Sequence, residues 1–203
     1  MTPLSAAVLA LAAAQAFTAD PGPNDEVAVF TTHAGNIVMM FYPDVAPKHV
    51  ANFKVLVKSG FYDGTRFHRC IPGFVIQGGD PNSKDIFKYK EWGEGGNIAD
   101  GKEVTVPGEF GKVLQHWRGV LSMARAEDVN SASSQFFVCV ADVHRLDGRY
   151  SAFGRVVRGM DVVDRIVATG PTEKEKNGQV PMWKAATLRW ATLTTWAEAQ
   201  KLK

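Results

Sequence analysis

The sequence predicts a mainly β fold, a barrel or sandwich of many short strands with two helices over its open ends. Three observations carry this. Short apolar runs, several of them alternating, recur along the chain. The nineteen glycines and ten prolines fall mostly between those runs, as turn residues do. Only two segments show helical spacing. With 203 residues and 45% hydrophobic content, the chain can bury a sizeable core and is not a disordered polymer. Its formal net charge of +2, without a basic block, gives no footprint for nucleic acid.

The elements follow in order. Glu26 to Thr32 alternates Val27, Val29 and Thr31 with Ala28, Phe30 and Thr32 and reads as a strand. The turn Ala34-Gly35-Asn36 returns it through Ile37 to Tyr42, so the chain opens with a hairpin. Ala46, Val50, Phe53 and Val57 share one helical face, bounded by Pro47 near the start and Gly60 beyond the end. Strands are expected over Thr65 to Ile71, Phe74 to Gln77, Gly119 to Ala124, Gln135 to Val140 and Ser151 to Val157. Val163, Ile166 and Val167 mark a second helix over Met160 to Thr169, and Lys184 to Thr194 reads as a last strand. Pro81 to Pro107 is a long, charged, weakly periodic loop, a kind of segment that is usually functional or flexible.

The amino-terminal segment is read apart. Thr2 to Ala19 carries no charge, Leu4 to Ala14 suits a signal-peptide core, and Ala14-Gln15-Ala16 fits a small-x-small cleavage site, with Phe17-Thr18-Ala19 a poorer second candidate. No Lys or Arg precedes the apolar run. Residues 1–19 are therefore expected to be a cleaved signal peptide, residues 20–25 a linker and residues 26–203 the functional domain, in the periplasm or secreted. Two other readings stand beside it: a retained membrane anchor, since the run is just short of a span of ~20 residues, and a disordered tail. No other segment is apolar enough to span a bilayer, so stable membrane insertion of the domain is not expected.

Cys70 and Cys139 belong to no CxxC pair and sit among strand-like apolar residues, which favours two buried free thiols over a disulfide. His33, His49, His68, His116 and His144 lie at no metal-ligand spacing, so no metal site is expected. No serine sits in a nucleophile elbow, and Gly78-Gly79 lacks the lysine and helix of a phosphate loop. Arg69 is the conspicuous residue. Alternation places it with Phe67 and Ile71, and a charge among such neighbours must be paired or face a solvent-lined cleft. By the residues alone, a structural ion pair or a snorkelling side chain explains it as well as catalysis does. Phe74, Val75, Phe137 and Leu146 read as core, Gln77 as a solvated strand residue and Tyr150 as a surface aromatic.

Four blocks change that weighting. They are Phe67-His68-Arg69-Cys70-Ile71-Pro72-Gly73-Phe74-Val75-Ile76-Gln77-Gly78-Gly79-Asp80, Gly119 to Arg125, Ser134 to Val138, and Leu146 to Val156. In this order and spacing, from about Val27 to Val167, the chain resembles the cyclophilins, peptidyl-prolyl cis/trans isomerases, in their bacterial branch. The resemblance implies a closed eight-stranded antiparallel barrel capped by two helices. It implies that Arg69 is the catalytic arginine, with Gln77 orienting it and bonding substrate backbone. Phe74, Val75, Phe137 and Leu146 would wall the proline pocket, with Val75 where many members carry Met. Ala124, Arg125 and Gln135 would dock the peptide backbone, and Tyr150 stands where His is common. Proline-containing polypeptides are the implied partners, no cofactor is expected, and the protein is expected to be a monomer. Arg145 occupies a position usually held by Trp or Phe and tied to cyclosporin binding, which implies weak sensitivity to that drug. Val129 replaces a usual Pro.

The chemistry suits such residues. Amide resonance sets a barrier of about 18–20 kcal/mol against rotation of an X–Pro bond. No bond breaks, so neither nucleophile nor metal is required. In the twisted transition state the prolyl nitrogen gains a lone pair, which a fixed guanidinium can bond more strongly than in the planar ground state. Arginine stays protonated and its donors are rigidly disposed. Two other functions compete at this point: a binding module that holds proline peptides without turnover, and a ligand-carrying barrel, which requires a hollow interior.

Overall fold

The computed structural model describes residues 19–111, 113–171 and 177–202. Apart from Ala19, the expected signal segment lies outside the described residues.

Eight strands form one antiparallel sheet curled into a half-barrel. They are β1 (Glu26–Thr32), β2 (Gly35–Phe41), β3 (Arg69–Ile71), β4 (Val75–Gly78), β7 (Val120–Met123), β8 (Phe136–Cys139), β9 (Ala152–Arg158) and β10 (Leu188–Thr195). Their order across the sheet is β10-β1-β2-β9-β7-β8-β4-β3. The mainly β architecture agrees with expectation. Closure is looser than the closed barrel expected, because the edge strands β3 and β10 share no ladder. Their ends are tied by a bridge between Arg66 and Thr187 and by the backbone bonds Gly64 N–H to Leu188 O (2.8 Å), Phe67 N–H to Ala186 O (2.9 Å) and Leu188 N–H to Thr65 O (2.8 Å). The expected strand from Thr65 shortens to Arg69–Ile71 for the same reason: its first residues turn to reach β10's approach.

The hairpin forms as the alternation predicts, and the Thr32 hydroxyl fixes its turn by donating to Gly35 O (2.8 Å) and accepting from Ala34 N–H (3.0 Å). Helix α1 (Pro47–Lys58) buries Val50, Phe53, Leu56 and Val57. Ala46 offers its start no side-chain cap, and the Glu109 carboxylate supplies one from 60 residues away, accepting from His49 N–H at 3.0 Å and Lys48 N–H at 3.2 Å. An anion there also suits the helix dipole. Helix α2 (Met160–Val167) buries Val162, Val163 and Ile166. It starts from Gly159 at φ +95°, where a Cβ would lie 2.2 Å from Asn36 O, so only glycine fits. A third, four-residue helix, α3 (Trp196–Ala199), follows β10.

The interior is filled. Phe30, Phe53, Tyr62 and Phe136 pack ring against ring at centroid distances of 5.1–5.8 Å. That leaves no room for the ligand-carrying barrel. Cys70 and Cys139 are free and buried, and burial pushes both thiols up to about 12. Among the described residues no helix is long and apolar enough to cross a membrane.

Three imidazoles are buried, His49, His68 and His116, and burial lowers the pKa of each. A depressed folded-state pKa means the unfolded chain binds more protons, so this stability is complete above the unfolded value, about 6.5, and is lost as pH falls below it. The urea midpoint is expected to be lower at pH 5.5 than at pH 7.5. An equal midpoint at both pH values would show that these burials carry no linkage.

Candidate functional site

Strands β3, β4 and β8 place the candidate residues on the face of the sheet away from the core. Side chains alternate along a strand. In β8, Phe136 and Val138 enter the main core, while Phe137 and Cys139 join a separate cluster with Val75, Val143 and Leu146, flanked by Phe74, Ala124 and Tyr150. In β4, Ile76 goes inward and Val75 and Gln77 outward. In β3, Cys70 goes inward and Arg69 outward. Phe67 departs from the expected alternation: it lies in the core against Phe136, because the chain before β3 is not regular strand.

These outward residues enclose a hollow of about 200 Å³ lined by Arg69, Phe74, Val75, Gln77, Ala124, Arg125, Phe137, Leu146 and Tyr150. Nine of the ten site residues chosen from the sequence therefore meet there. Gln135, the tenth, lines the adjoining hollow with Gly93, Glu94, Gly95 and Glu103. Phe137 is 4% exposed and forms the floor. Tyr150 meets it edge to face, with ring centres 5.8 Å apart.

Arg69 is held from two sides. Its Nε donates to the carbonyl of Asn177 (2.8 Å) and a terminal nitrogen donates to Gln77 Oε1 (3.2 Å). Gln77 Nε2 donates in turn to Gln135 Oε1 (2.9 Å), and Gln135 Nε2 donates to Gly93 O (2.9 Å) and Gly95 O (2.8 Å). A directed relay thus runs from the arginine to the loop after β4. Burial draws the Arg69 guanidinium below its usual pKa, yet an arginine so placed stays cationic at neutral pH. It also lies over the Phe74 ring at 5.8 Å.

The loop is less shapeless than its sequence suggests. Two short 3₁₀ turns, Pro81–Lys84 and Ile86–Glu91, are capped by Asp80 and Asp85, which accept from Asn82 N–H and Phe87 N–H at 2.8 Å each. A two-stranded ribbon follows, β5 (Ile98–Ala99) with β6 (Lys102–Glu103). Gly79, at φ +84°, brings the loop's root so close to Ser134 O that a Cβ would stand 2.6 Å away.

Sequence reasoning missed the Asn177 carbonyl and the histidine beneath the floor, and weighed Arg145 only for cyclosporin binding. The Asn177 carbonyl is a backbone group, so the residue type carried no signal. Arg145, exposed at the rim, sits 4.2 Å from the Phe74 ring centre. Beneath the floor, His116 stacks on Phe137 at 6.0 Å, donates through Nδ1 to Asp147 (2.9 Å) and accepts through Nε2 from the Ser122 hydroxyl (3.0 Å). This Ser–His–Asp chain is no hydrolytic site, because Ser122 is fully buried and no substrate atom can reach it. Among the described residues no cluster of three or more His, Cys, Asp or Glu could hold a metal ion.

Comparison with known proteins agrees with this geometry. Residues 27–186 match the family described as cyclophilin type peptidyl-prolyl cis-trans isomerase/CLD. A peptidyl-prolyl cis-trans isomerase A of Dickeya dadantii is 43% identical over 143 residues, 68% of this chain and 69% of that protein. A peptidyl-prolyl cis-trans isomerase of Acinetobacter baylyi is 40% identical over 148 residues, 70% and 71% of the two chains. Among solved structures, a cyclophilin type isomerase of Cryptosporidium parvum, crystallised in the presence of the dipeptide Ala-Pro, superposes with a TM-score of 0.70 at 29% identity, covering 83% of this chain and 99% of its own.

Proposed function

Because this chain belongs to the cyclophilin-type peptidyl-prolyl cis-trans isomerases and catalyses rotation about X–Pro bonds, we propose that Arg69 is the group that acts on the rotating bond and that the apolar hollow beside it grips the proline ring. The observation that carries this assignment is the position of the Arg69 guanidinium in the wall of the hollow floored by Phe137.

The mechanism follows from that arrangement. Phe74, Val75, Phe137 and Leu146 enclose the ring and exclude water from it. As the amide twists, its nitrogen becomes pyramidal and basic, and Arg69 donates to it. Gln77 and the Asn177 carbonyl hold the guanidinium in place beforehand, so no reorganisation is needed when charge develops. Ala124, Arg125, Gln135 and Tyr150 form the surfaces against which the peptide backbone lies. No covalent step occurs, and the chemistry asks for no cofactor. A protease-coupled assay on an Ala-Pro peptide tests the assignment: turnover is expected from the native chain, and an equal rate from a chain lacking Arg69 rejects it.

The compartment belongs to the same proposal. The uncharged run before Ala19 and its small-x-small site support export to the periplasm or beyond, with the isomerase domain starting near Glu26 and working as a monomer on proline-containing polypeptides. Amino-terminal sequencing of the exported protein is expected to begin at Phe17, or at Asp20 where the second site Phe17-Thr18-Ala19 is cut. An intact Met1 start in a membrane fraction would mean a retained anchor. Weak cyclosporin binding is part of this reading, since Arg145 stands at the rim of the hollow.

A further inference from the structure

Among the described residues the hollow is rimmed by guanidinium groups without carboxylates to balance them. Arg145 lies 4.2 Å from the centre of the Phe74 ring, Arg69 lies 5.8 Å from the same ring, and Arg125 lies 4.7 Å from the Tyr150 ring on another wall. Among the described residues no Asp or Glu lines the hollow. Arg125 spends its donors on the backbone carbonyls of Ala126, Glu127 and Arg149, which leave its charge unbalanced. Among the described residues Arg145 makes no hydrogen bond or ion pair, and its aromatic contact leaves the guanidinium edge open to a ligand. The acidic side chains of the region, Glu94 and Glu103, line the adjoining hollow instead. Three cations around one apolar depression focus a positive potential at the place where a peptide must lie, and stacking on the Phe74 face holds the Arg145 guanidinium without using up its hydrogen-bonding edge.

We propose that Arg145, with Arg125, selects substrates that carry a carboxylate side chain next to the isomerised proline, on the flank away from Glu94 and Glu103. The proposal rests on the reading of the hollow as the proline site. A peptide that covers Phe74 partly desolvates Arg145, and a substrate glutamate then pairs with it. Because the pairing stays at a rim open to water, a moderate, salt-sensitive preference is expected, about three- to tenfold in kcat/KM.

The test uses the native chain, R145Q and R145E on proline tetrapeptides with Ala, Glu or Lys placed one residue before or one or two residues after the proline. The native protein is expected to favour one Glu peptide over its Ala counterpart by about three- to tenfold, with most of the preference gone in 0.5 M salt. R145Q should remove the preference, and R145E should turn it toward Lys at the same position. Equal kcat/KM for Ala, Glu and Lys at every position, or a Glu preference that survives R145E, overturns the proposal. Absence of turnover on the Ala peptides would instead overturn the assignment of the hollow, and the charge preference with it. Circular dichroism of each variant separates loss of preference from loss of fold.

Discussion

Arg69→Ala is expected to lower kcat/KM on an Ala-Pro peptide by about 10²- to 10³-fold, the cost of removing one preorganised donor from a developing charge. The side chain points away from the core and contributes little to packing, so the melting curve should stay close to that of the native protein. Arg69→Lys should recover only a small part of the loss. An ammonium keeps the charge but lacks the planar set of donors that bonds Asn177 O and Gln77 Oε1 at once. The protease-coupled assay reads the rate directly, and a native-like rate for Arg69→Ala would remove the arginine from the mechanism.

Neighbouring positions on β8 should give opposite phenotypes. Phe136→Ala empties a place among Phe30, Phe53, Tyr62 and Phe67 and is expected to cost about 3–5 kcal/mol of stability. Phe137→Ala removes the floor of the hollow. Its grip on a proline ring, about 1.5–3 kcal/mol, corresponds to a drop of about ten- to hundredfold in kcat/KM. The stability loss should be smaller than at Phe136, because water can enter the enlarged hollow from the mouth. Urea titrations and the peptide assay on both variants check this, and the idea that the sheet separates stability from catalysis fails if the two proteins behave alike.

The strand pattern was legible because burial on two faces leaves a periodic trace. Glu26–Thr32 emerged with the expected bounds, and the first helix, Pro47–Lys58, falls within the limits that Pro47 and Gly60 mark. Alternation fails before Arg69, because Phe67 and Cys70 both turn inward although they lie three residues apart. The loop from Pro81 was opaque to periodicity, yet its turns rest on Asp80 and Asp85, side chains that cap through local backbone bonds and leave no apolar rhythm. The hollow was not readable from physics alone, since Phe137 and Leu146 look like core in any window. Only the resemblance to a family singled them out. Asn177 and the glycine carbonyls lay beyond either route, as any residue type supplies a carbonyl.

The relay from Gly93 and Gly95 through Gln135 and Gln77 ends on the guanidinium. Each amide gives with its nitrogen and takes with its oxygen, so the line has one sense and no slack. Lengthening or shortening the segment that carries the two glycines would therefore tilt the cation without altering any side chain around the proline. Turnover could then drift among relatives through insertions far from the ring, leaving the depression itself unchanged.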